Sequence, residues 1–465
     1  MTIGFLKSVR LFKQIRISIL DDHLSGLPKY QISPTINYSE QIRIMLDLRV
    51  IRQDPEKISE NCRQRNLPDL VAPLLEQDEL ARGLKGELDT LRQRRNEISN
   101  QMKSKLSVDE RQTLIEESKS LKQKEEALHL AHQSAEVERG NLLSQIPNLT
   151  HPDSPIGIDE DANKVLREVG KPRIFDFDPK DHLTLMESLE LVDFEGGSKV
   201  VGQKFYYLKN QAVFLELALA QYALKLLQEE GFTVHMTPDL ARASVVQGTG
   251  FQPRGDSAQI YSIENSDLCL IATAEITLGG LLSEQILSEA ELPILMAGFS
   301  HCFRTEAGAA GRESRGLYRV HQFSKIEMFA FTHPEKSNEM HEKLLKIEER
   351  IYSDLGIPYR VVDICTGDLG APAYRKYDLE AWMPGRGHWG EITSTSNCTD
   401  YQARRLNIRF KDSDGKNQFV HMLNGTAIAV SRTLIALIEN GQQADGSITL
   451  PKCLGLPDIP PPASK

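Results

Sequence analysis

The chain has 465 residues, of which 40% are hydrophobic and 26% charged, and these values are typical of a globular protein with about two or three domains. The longest apolar runs stay well short of the roughly 18 residues that a membrane span requires, so no membrane partner is predicted. A formal net charge of −10 excludes a general attraction to nucleic acid, and any such partner must therefore meet a local basic surface.

Residues 1–44 are predicted to be an N-terminal extension. The first twenty residues carry four basic side chains and no acid, as an organellar transit peptide does, but Asp21 and Asp22 follow at once. The alternative is an upstream start codon, with the working protein beginning at Met45. Six scattered cysteines without a CxxC pair indicate a reducing compartment, and no zinc is predicted. We expect a cytoplasmic protein, or one of the mitochondrial or plastid matrix if residues 1–44 are a transit peptide.

A seven-residue repeat of apolar side chains runs through residues 73–146 and predicts two long helices. The repeat breaks near 104–107, which predicts a turn between two antiparallel arms. At 1.5 Å per residue, an arm of about 30 residues would be roughly 45 Å long, so the hairpin should project from any globular body. The seam positions are Ala81, Leu84, Leu88, Leu91, Ile98 and Met102 in the first arm and Leu114, Leu121, Leu128, Ala135 and Leu142 in the second.

The first arm is basic, with seven positive and three negative residues between Arg82 and Lys105. Charge on an exposed helix usually means only solvation. The alternative is contact with a polyanion, which the local excess on an otherwise acidic protein favours. The candidate nucleic-acid contacts are Arg92, Arg94, Arg95 and Lys103.

Residues 146–163 are rich in proline and glycine and predict a boundary between two domains, over 45–150 and 151–465. Beyond the boundary, a helix is predicted over 212–230, followed by the strand GFTVHMTP (231–238). Strand-like segments then alternate irregularly with helices, which predicts an α+β domain on a mostly antiparallel sheet. The usual glycine-rich phosphate loops, GxGxxG and GxxxxGK[ST], are missing from the sequence.

The segment FRTEAGAAGRESRGLYRVHQFSKIE, residues 303–327, is predicted to form two strands, over 300–306 and 317–329, joined by a loop. Side chains alternate faces along a strand, so Arg304 and Glu306 share one face of the first strand. One face of the second strand carries Arg319, His321, Phe323, Lys325 and Glu327. Cations, carboxylates and a single aromatic ring on one face indicate a binding site rather than a core.

This segment resembles motif 2 of the class II aminoacyl-tRNA synthetases, in particular of the seryl-tRNA synthetase family. Four other segments resemble further markers of that family, in the same order along the chain. They are GFTVHMTP as motif 1, TAE (273–275) as the serine-binding triplet, EITSTSNCTDYQARR (391–405) as the metal and ATP segment, and NGTAIAVSRTLIALIEN (424–440) as motif 3. The likeness covers about 45–455 and includes the helical arm, which in that family grips tRNA.

The resemblance implies an α+β fold, in which the antiparallel sheet of a class II synthetase is flanked by helices and preceded by a long antiparallel α-helical coiled-coil arm. It implies a tRNA-binding arm domain over 45–150 and a catalytic aminoacylation domain over 151–465. The implied activity is that of a serine–tRNA ligase, which makes seryl-adenylate from L-serine and ATP and transfers the serine to tRNA(Ser). The further substrate tRNA(Sec) stays open, and a homodimer is implied because motif 1 builds a two-fold interface in the superfamily.

The resemblance also implies roles for individual residues. Arg304 would bridge the α-phosphate and the serine carboxylate, Arg432 would hold the far end of the triphosphate, and these two are the implied catalytic residues. Glu306 would accept a hydrogen bond from the adenine amino group, and Phe323 would stack on the adenine ring. The residues implied to bind ATP are Arg304, Thr305, Glu306, Val320, Phe323, Glu391, Ile392, Thr393, Ser394 and Arg432.

The implied metal is Mg²⁺ bound through ATP, with the hard oxygen ligands of Glu391 and Ser394. Glu327 would accept a hydrogen bond from the serine hydroxyl. Thr426-Ala427 stand where the family often has Ser-Gly, so an extra methyl lies next to the implied serine pocket. The residues implied to bind serine are Thr273, Ala274, Glu275, Arg304, Glu327 and Thr426.

Two other functions are compatible with parts of this pattern. A synthetase-like paralogue that loads a carrier protein would share the catalytic segments, but the long arm disfavours it. A non-catalytic RNA-binding scaffold would share the arm. The retained charges of Arg304, Glu327, Glu391 and Arg432 disfavour that second alternative.

Overall fold

The computed structural model of the protein describes residues 46–251, 260–306 and 316–462. The predicted extension, residues 1–44, lies outside these ranges, as does most of the predicted motif 2 loop. The helices are α1 (Leu48–Gln53), α2 (Pro55–Gln64), α3 (Val71–Gln101), α4 (Val108–Gln145), α5 (His182–Ser188), α6 (Phe194–Val200), α7 (Gln211–Glu229), α8 (Ala243–Gly248), α9 (Ala274–Leu281), α10 (Ser337–Asp354), α11 (Tyr401–Leu406) and α12 (Val430–Gly441).

All strands in the described ranges fall after residue 163. They are β1 (Lys164–Val169), β2 (Val192–Asp193), β3 (Tyr207–Leu208), β4 (Thr233–Met236), β5 (Leu240–Arg242), β6 (Leu268–Leu270), β7 (Ile286–Ser288), β8 (Ile294–Phe303), β9 (Gln322–Thr332), β10 (Tyr359–Asp363), β11 (Arg375–Met383), β12 (His388–Asn397), β13 (Arg409–Lys411), β14 (Asn417–Phe419) and β15 (His421–Ala429). No helix in the described ranges is long and apolar enough to cross a membrane.

The predicted helical hairpin is formed by α3 and α4. Its seam follows the seven-residue repeat, since the seam side chains are buried or half-buried while most others on these helices are exposed. The break in the repeat is a helix start: Ser107 and Glu110 form a capping box in which each side chain bonds the backbone N–H of the other. The most deeply buried seam residues are Ala81, Leu88, Ile98 and Ala135.

A buried carboxylate holds the base of the hairpin together. Asp78 lies 2.7 Å from Arg52 of α1, 3.1 Å from Arg82 and 3.3 Å from Arg139 of α4. Burial alone would raise the pKa of Asp78, but the guanidinium groups outweigh that effect and lower it. Three separate segments of the chain are thereby tied to one side chain.

The sheet of the second domain has eight strands in the order β1-β10-β11-β12-β15-β9-β8-β4. Every neighbouring pair is antiparallel except β4 and β8, which confirms the predicted mostly antiparallel sheet. Helices α7, α10 and α12 cover one face with a large apolar core, and α9 and α11 cover part of the other. The side chains of β9 alternate accordingly: Ile326 and Met328 enter the large core, while Phe323, Lys325 and Glu327 face the other way.

The predicted bounds of the two motif 2 strands are wrong. The first strand ends at Phe303 and the second begins only at Gln322, because these two residues are the last that pair in the ladder. Glu306, at φ 48°, and Gly316, at φ 70°, lie in the left-handed region, which interrupts extended chain on both sides of the loop. Arg304 and Glu306 therefore follow β8 rather than belonging to it.

Candidate active site

A cavity of about 410 Å³ opens on the face of the sheet that α9 covers in part. Its floor comes from β9, β12 and β15, and one edge comes from the start of α9. Arg304 and Glu327, which the resemblance assigns to one serine site, both line it. The predicted site residues that line the cavity are Thr273, Glu275, Arg304, Glu306, Val320, Phe323, Glu327, Glu391, Ile392, Thr393, Ser394, Thr426 and Arg432.

Two predicted site residues are not brought to the cavity wall. The methyl group of Ala274 is buried in the core beside Gly298, because the first turn of α9 presents Thr273 and Glu275 to the cavity instead. Thr305 is absent from the lining as well, although its neighbours Arg304 and Glu306 are present.

The side chain of Thr393 points away from the cavity that its residue borders. Its hydroxyl donates a 3.0 Å hydrogen bond to the buried carboxyl group of Glu348 on α10, behind the sheet. The main chain is therefore the part of Thr393 that is left to meet a ligand.

One end of the cavity is acidic and enclosed, and we call it the acidic pocket (Thr273, Glu275, Lys325, Glu327 and Thr426). Glu327 is buried, accepts a 3.3 Å hydrogen bond from the hydroxyl of Thr426, and forms an ion pair with Lys325. The sequence pattern places Lys325 on the binding face of the second strand but assigns it no individual role. Strand alternation nevertheless places it two residues from Glu327 on the same face, and that signal was sufficient to find it.

Two amides hold the second carboxylate of this pocket. Glu275 Oε1 accepts hydrogen bonds from Gln402 at 2.7 Å and from Asn424 at 3.0 Å. Burial, followed by the negative charge of Glu327, raises the pKa of Glu275 to about 7. Gln402 and Asn424 lie inside the motif segments, but the sequence alone gave them no role.

The opposite end of the cavity is lined by cations with one carboxylate among them. Arg432 Nη1 lies 3.0 Å from Glu391 Oε1, and its guanidinium carbon lies 4.8 Å from the ring centroid of Tyr318. Desolvation would raise the pKa of Glu391, but the charges of Arg432 and Lys376 outweigh it and lower the pKa. Lys376 lies outside every recognised motif, and its only sequence signal is the Lys-x-Asp alternation with Asp378 on β11.

Arg304 lies between the two ends. Its main chain is pinned on both sides by His321, whose carbonyl accepts from Arg304 N at 3.0 Å and whose Nδ1 donates to the Arg304 carbonyl at 2.8 Å. The guanidinium carbon lies 5.3 Å from the ring centroid of Phe323, and Nε lies 3.5 Å from the carbonyl of Ala272. Among the described residues Arg304 has no carboxylate within ion-pair distance, so its charge is available to a ligand in the cavity.

The candidate nucleic-acid contacts on α3 are paired with acids of the neighbouring helix. Arg92 and Arg95 both reach Glu125, and Arg94 forms hydrogen bonds of 2.8 and 3.0 Å with Glu117. Arg95 lies seven residues from both Leu88 and Met102, at a seam position where a charge destabilises the hairpin without a partner, and Glu125 is that partner. The fourth candidate, Lys103, donates to Asn100 at 3.0 Å, and all four are exposed or half-exposed.

Two protein-family models match the chain. The model "tRNA synthetase class II core domain (G, H, P, S and T)" matches residues 260–441, and "Seryl-tRNA synthetase N-terminal domain" matches residues 45–150. A serine–tRNA ligase of Dictyoglomus turgidum is 55% identical over 424 residues, covering 90% of this chain and 100% of the relative. A serine–tRNA ligase of Treponema denticola is 52% identical over 412 residues, covering 88% of this chain and 98% of the relative.

Solved structures agree with these matches. Seryl-tRNA synthetase from Pyrococcus horikoshii complexed with ATP superimposes with a TM-score of 0.83 and 41% identity, over 90% of this chain and 100% of that one. Cytoplasmic serine–tRNA ligase from Naegleria fowleri in complex with AMP gives a TM-score of 0.78 and 34% identity, over 90% and 99% of the two chains. Because the likeness spans both the arm and the cavity, the chain belongs to the seryl-tRNA synthetase family of class II aminoacyl-tRNA synthetases.

Proposed function

We propose that this chain activates L-serine with ATP in the cavity described above and transfers it to tRNA(Ser), with an arm domain over 45–150 and a catalytic domain over 151–465. The observation that carries the proposal is the polarity of one continuous cavity, cationic at the Arg432 end and acidic at the Glu327 end, with Arg304 between. A nucleoside triphosphate is a polyanion and an amino acid carries an ammonium group. The two substrates therefore match the two ends, and Arg304 lies where they would meet.

In the first step, a carboxylate oxygen of serine attacks the α-phosphorus of ATP and forms an O–P bond. The bond from that phosphorus to the bridging oxygen of the β-phosphate breaks, and its electron pair leaves with pyrophosphate. The carboxylate is already ionised at pH 7, so no general base is required. The cavity must instead align the reactants and neutralise charge, and the fork of Arg304 suits this because it can meet phosphate and carboxylate oxygens together. In the second step, a hydroxyl oxygen of the 3′-terminal ribose of tRNA bonds to the seryl carbonyl carbon and releases its proton. The bond from that carbon to the phosphate oxygen breaks, and its electron pair leaves with AMP.

The remaining side chains of the cavity fit the adenine ring and the triphosphate of ATP. Glu306, 3.5 Å from Arg319, would accept from the adenine amino group, and Phe323 offers its ring for stacking. Arg432 would bind the terminal phosphates, since it lines the cavity and its hydrogen bond and ion pair with Glu391 both use Nη1.

Mg²⁺ would be held by Glu391 and Ser394 together with the phosphates of ATP. The donor set fits, because the carboxylate and the hydroxyl are hard oxygen ligands that line the same part of the cavity. Beneath them, buried Asp378 Oδ1 has no hydrogen-bond partner among the described residues. Within those same residues no cluster of three or more His, Cys, Asp or Glu side chains could hold a metal alone, so phosphate oxygens and water would complete the shell. When bound, the ion neutralises phosphate charge.

Replacing Glu327 should damage recognition of the serine hydroxyl more than it damages ATP binding. A hydrogen bond to a charged group is worth about 1.5–3 kcal/mol, so Glu327→Gln should lower kcat/KM for serine by about 10- to 150-fold in ATP–pyrophosphate exchange. Thr426→Ser is the matched variant: it keeps the hydroxyl that bonds Glu327 and removes one methyl. We expect it to retain serine activation and to discriminate less against threonine. The free energy of discrimination should fall by up to roughly 1–3 kcal/mol. An exchange assay run with serine, alanine and threonine checks both outcomes, and unchanged serine kinetics in Glu327→Gln would contradict the assignment.

Serine binding should weaken as the pH falls through neutrality. The carboxylate of Glu275 would receive the serine ammonium group, and its pKa of about 7 means that the group takes up a proton and loses its charge below that value. KM for serine should therefore rise between pH 8 and pH 6, approaching about tenfold per unit at the acid end, while KM for ATP does not follow. Glu275→Gln should bind serine weakly and without this pH response. A serine KM that is flat over this range would exclude Glu275 as the ammonium acceptor.

We also propose a homodimer built on the exposed edge of the sheet. Strand β4 is the last strand of the order, and Met236 on it is 82% exposed. Val234 on β4 and Phe214 and Leu217 on α7 extend this exposed apolar surface. Among the described residues β4 pairs on one side only, and an edge strand beside such a surface favours a two-fold contact.

A double variant, Phe214→Glu with Met236→Glu, should therefore halve the molar mass measured by light scattering. Val108→Glu is the control, because Val108 is equally apolar and exposed but lies at the start of α4 in the arm. A wild-type monomer would refute the dimer.

Charging of tRNA(Sec) and a cytoplasmic location are further proposals. The first is tested with a tRNA(Sec) transcript and the purified protein. The second is tested by fractionating the source cells, where recovery in an organellar matrix would favour the transit-peptide interpretation of residues 1–44.

A further inference from the structure

We infer that Arg65 and Asn148 are positioning residues for serine binding: the base of the arm domain fixes a wall of the cavity that the catalytic domain does not fix alone. The wall is residues 370–373, all of which line the cavity. The inference rests on the proposed function, since it assigns serine to the acidic pocket.

Arg65 follows α2 and is 2% exposed, yet among the described residues it forms no ion pair. Its Nη1 donates to the carbonyl of Gly370 at 3.2 Å, and its Nη2 donates to the carbonyls of Ala373 and, at 3.2 Å, Leu149. Its Nε donates to the hydroxyl of Thr150 at 2.8 Å. Desolvation lowers the pKa of Arg65 to about 10, so the group remains a cation at neutral pH. Burying a cation without a neighbouring acid destabilises a protein unless its donors are satisfied. The donors of Arg65 are satisfied mainly by main-chain carbonyls, which it holds in place.

Asn148 holds the middle of the same wall. Its backbone N–H donates to the carbonyl of Ala371 at 2.9 Å, and its Nδ2 lies 2.9 Å from the carbonyl of Pro372. Together with the two bonds from Arg65, every carbonyl from 370 to 373 accepts a hydrogen bond from the N-terminal part of the chain. Asn61 of α2 in turn holds Asn148 in place, since it donates to the Asn148 carbonyl at 3.0 Å.

Two short routes connect the wall to Glu275 in the acidic pocket. Pro372 packs so closely on Gly250 that a Cβ added there would lie 2.5 Å from Pro372 Cγ. The carbonyl of the preceding residue, Thr249, accepts from Gln402 at 3.0 Å, and that same amide group holds Glu275.

The second route runs through Cys398, whose carbonyl accepts from Asn148 Nδ2 at 2.9 Å. Asn424 Nδ2 lies 3.7 Å from Cys398 Sγ and also donates to Glu275 at 3.0 Å. A shift of the wall should therefore disturb the ammonium site. Neither route passes through Arg432 or Glu391, which lie at the other end of the cavity.

The test compares the change in KM for serine with the change in KM for ATP, both measured by ATP–pyrophosphate exchange. Arg65→Gln should raise KM for serine about tenfold or more and leave KM for ATP within about twofold. Asn148→Ala should do the same, and Arg65→Lys, which keeps the charge but lacks the fork, should fall between. If Arg65→Gln does not fold, Thr150→Val takes its place in the test. It removes only the acceptor of Arg65 Nε, so KM for serine should rise by a smaller factor.

Two controls separate positioning from stability. Arg63→Gln, two residues away, loses a half-exposed guanidinium that pairs with Glu56 and Glu60 of its own helix, and should change neither constant. Arg52→Gln loosens the Asp78 junction and lowers the Tm without touching the wall, and should also leave serine KM unchanged.

Unchanged serine KM in folded Arg65→Gln and Thr150→Val, or an equal rise of both constants, would overturn the inference. If Arg65→Gln has a normal KM for serine while Arg304→Ala loses exchange, the positioning inference is wrong and the proposed function stands. A wild-type protein without serine-dependent exchange would instead remove the proposed function itself.

Discussion

Arg304→Ala is expected to abolish serine-dependent ATP–pyrophosphate exchange. The guanidinium lies between the acidic and the cationic ends of the cavity and has no carboxylate within ion-pair distance among the described residues, so its charge is available to a ligand. Removing one preorganised donor from a reacting centre typically costs about 10²–10³-fold in rate, and Arg304 would contact both reactants. We expect at least this loss in kcat, measured by exchange of labelled pyrophosphate at saturating serine.

Two variants show whether the loss is specific. Arg304→Lys keeps the charge but cannot meet two oxygens with a planar fork, so it should recover only a small part of the rate. Arg360→Ala removes a guanidinium that pairs with Glu380 and lies 5.5 Å from the Trp389 ring centroid, outside the cavity lining, and should exchange normally. Near-normal exchange in Arg304→Ala would remove this residue from the mechanism.

The parts of the fold that sequence could predict are those with a local period. The seven-residue repeat gave the antiparallel helices α3 and α4, and alternation along β9 placed Phe323 and Glu327 on one face. The change of side-chain direction from one residue to the next at the start of a helix also explains why Ala274 fails to reach the cavity. Ala274 lies between two lining residues at the start of a helix, and its neighbours turn toward the ligand while its own methyl packs in the core.

Contacts between distant segments left no such signal. Arg65 meets carbonyls more than 300 positions further along the chain, and a main-chain acceptor leaves no trace in residue type. Lys376 is recognisable as a site residue only once β11 lies beside β12. The first motif 2 strand is shorter than predicted partly because Glu306 adopts a positive φ, a conformation that the residue type glutamate does not predict.

Shortening the arm is expected to leave serine activation intact and to cripple tRNA charging. The structure indicates where to cut: Arg139 bonds the buried Asp78, and Leu143 packs in the core at the hairpin base, so both should stay. Deleting residues 85–132 and joining 84 to 133 by a short glycine-rich turn keeps these contacts, together with the wall contacts of Arg65 and Asn148. Exchange should then remain within about twofold of wild type, because no deleted residue lines the cavity.

Charging of tRNA should fall steeply in the same variant. Because the arm would bind tRNA through its charges, the affinity for tRNA should depend on the salt concentration. The arginines of α3 are already paired with Glu117 and Glu125, but exposed pairs are worth only about 0–1 kcal/mol, so a phosphate can replace or share those partners cheaply. Each phosphate contact releases counterions and contributes about 0.7–0.9 to the slope of log affinity against log salt. Full-length protein should therefore show a steep slope in filter binding of tRNA(Ser), and Arg94→Gln should reduce it by about one contact. A flat response to salt in the full-length protein, or undiminished charging by the shortened one, would mean that the arm does not grip tRNA through these charges.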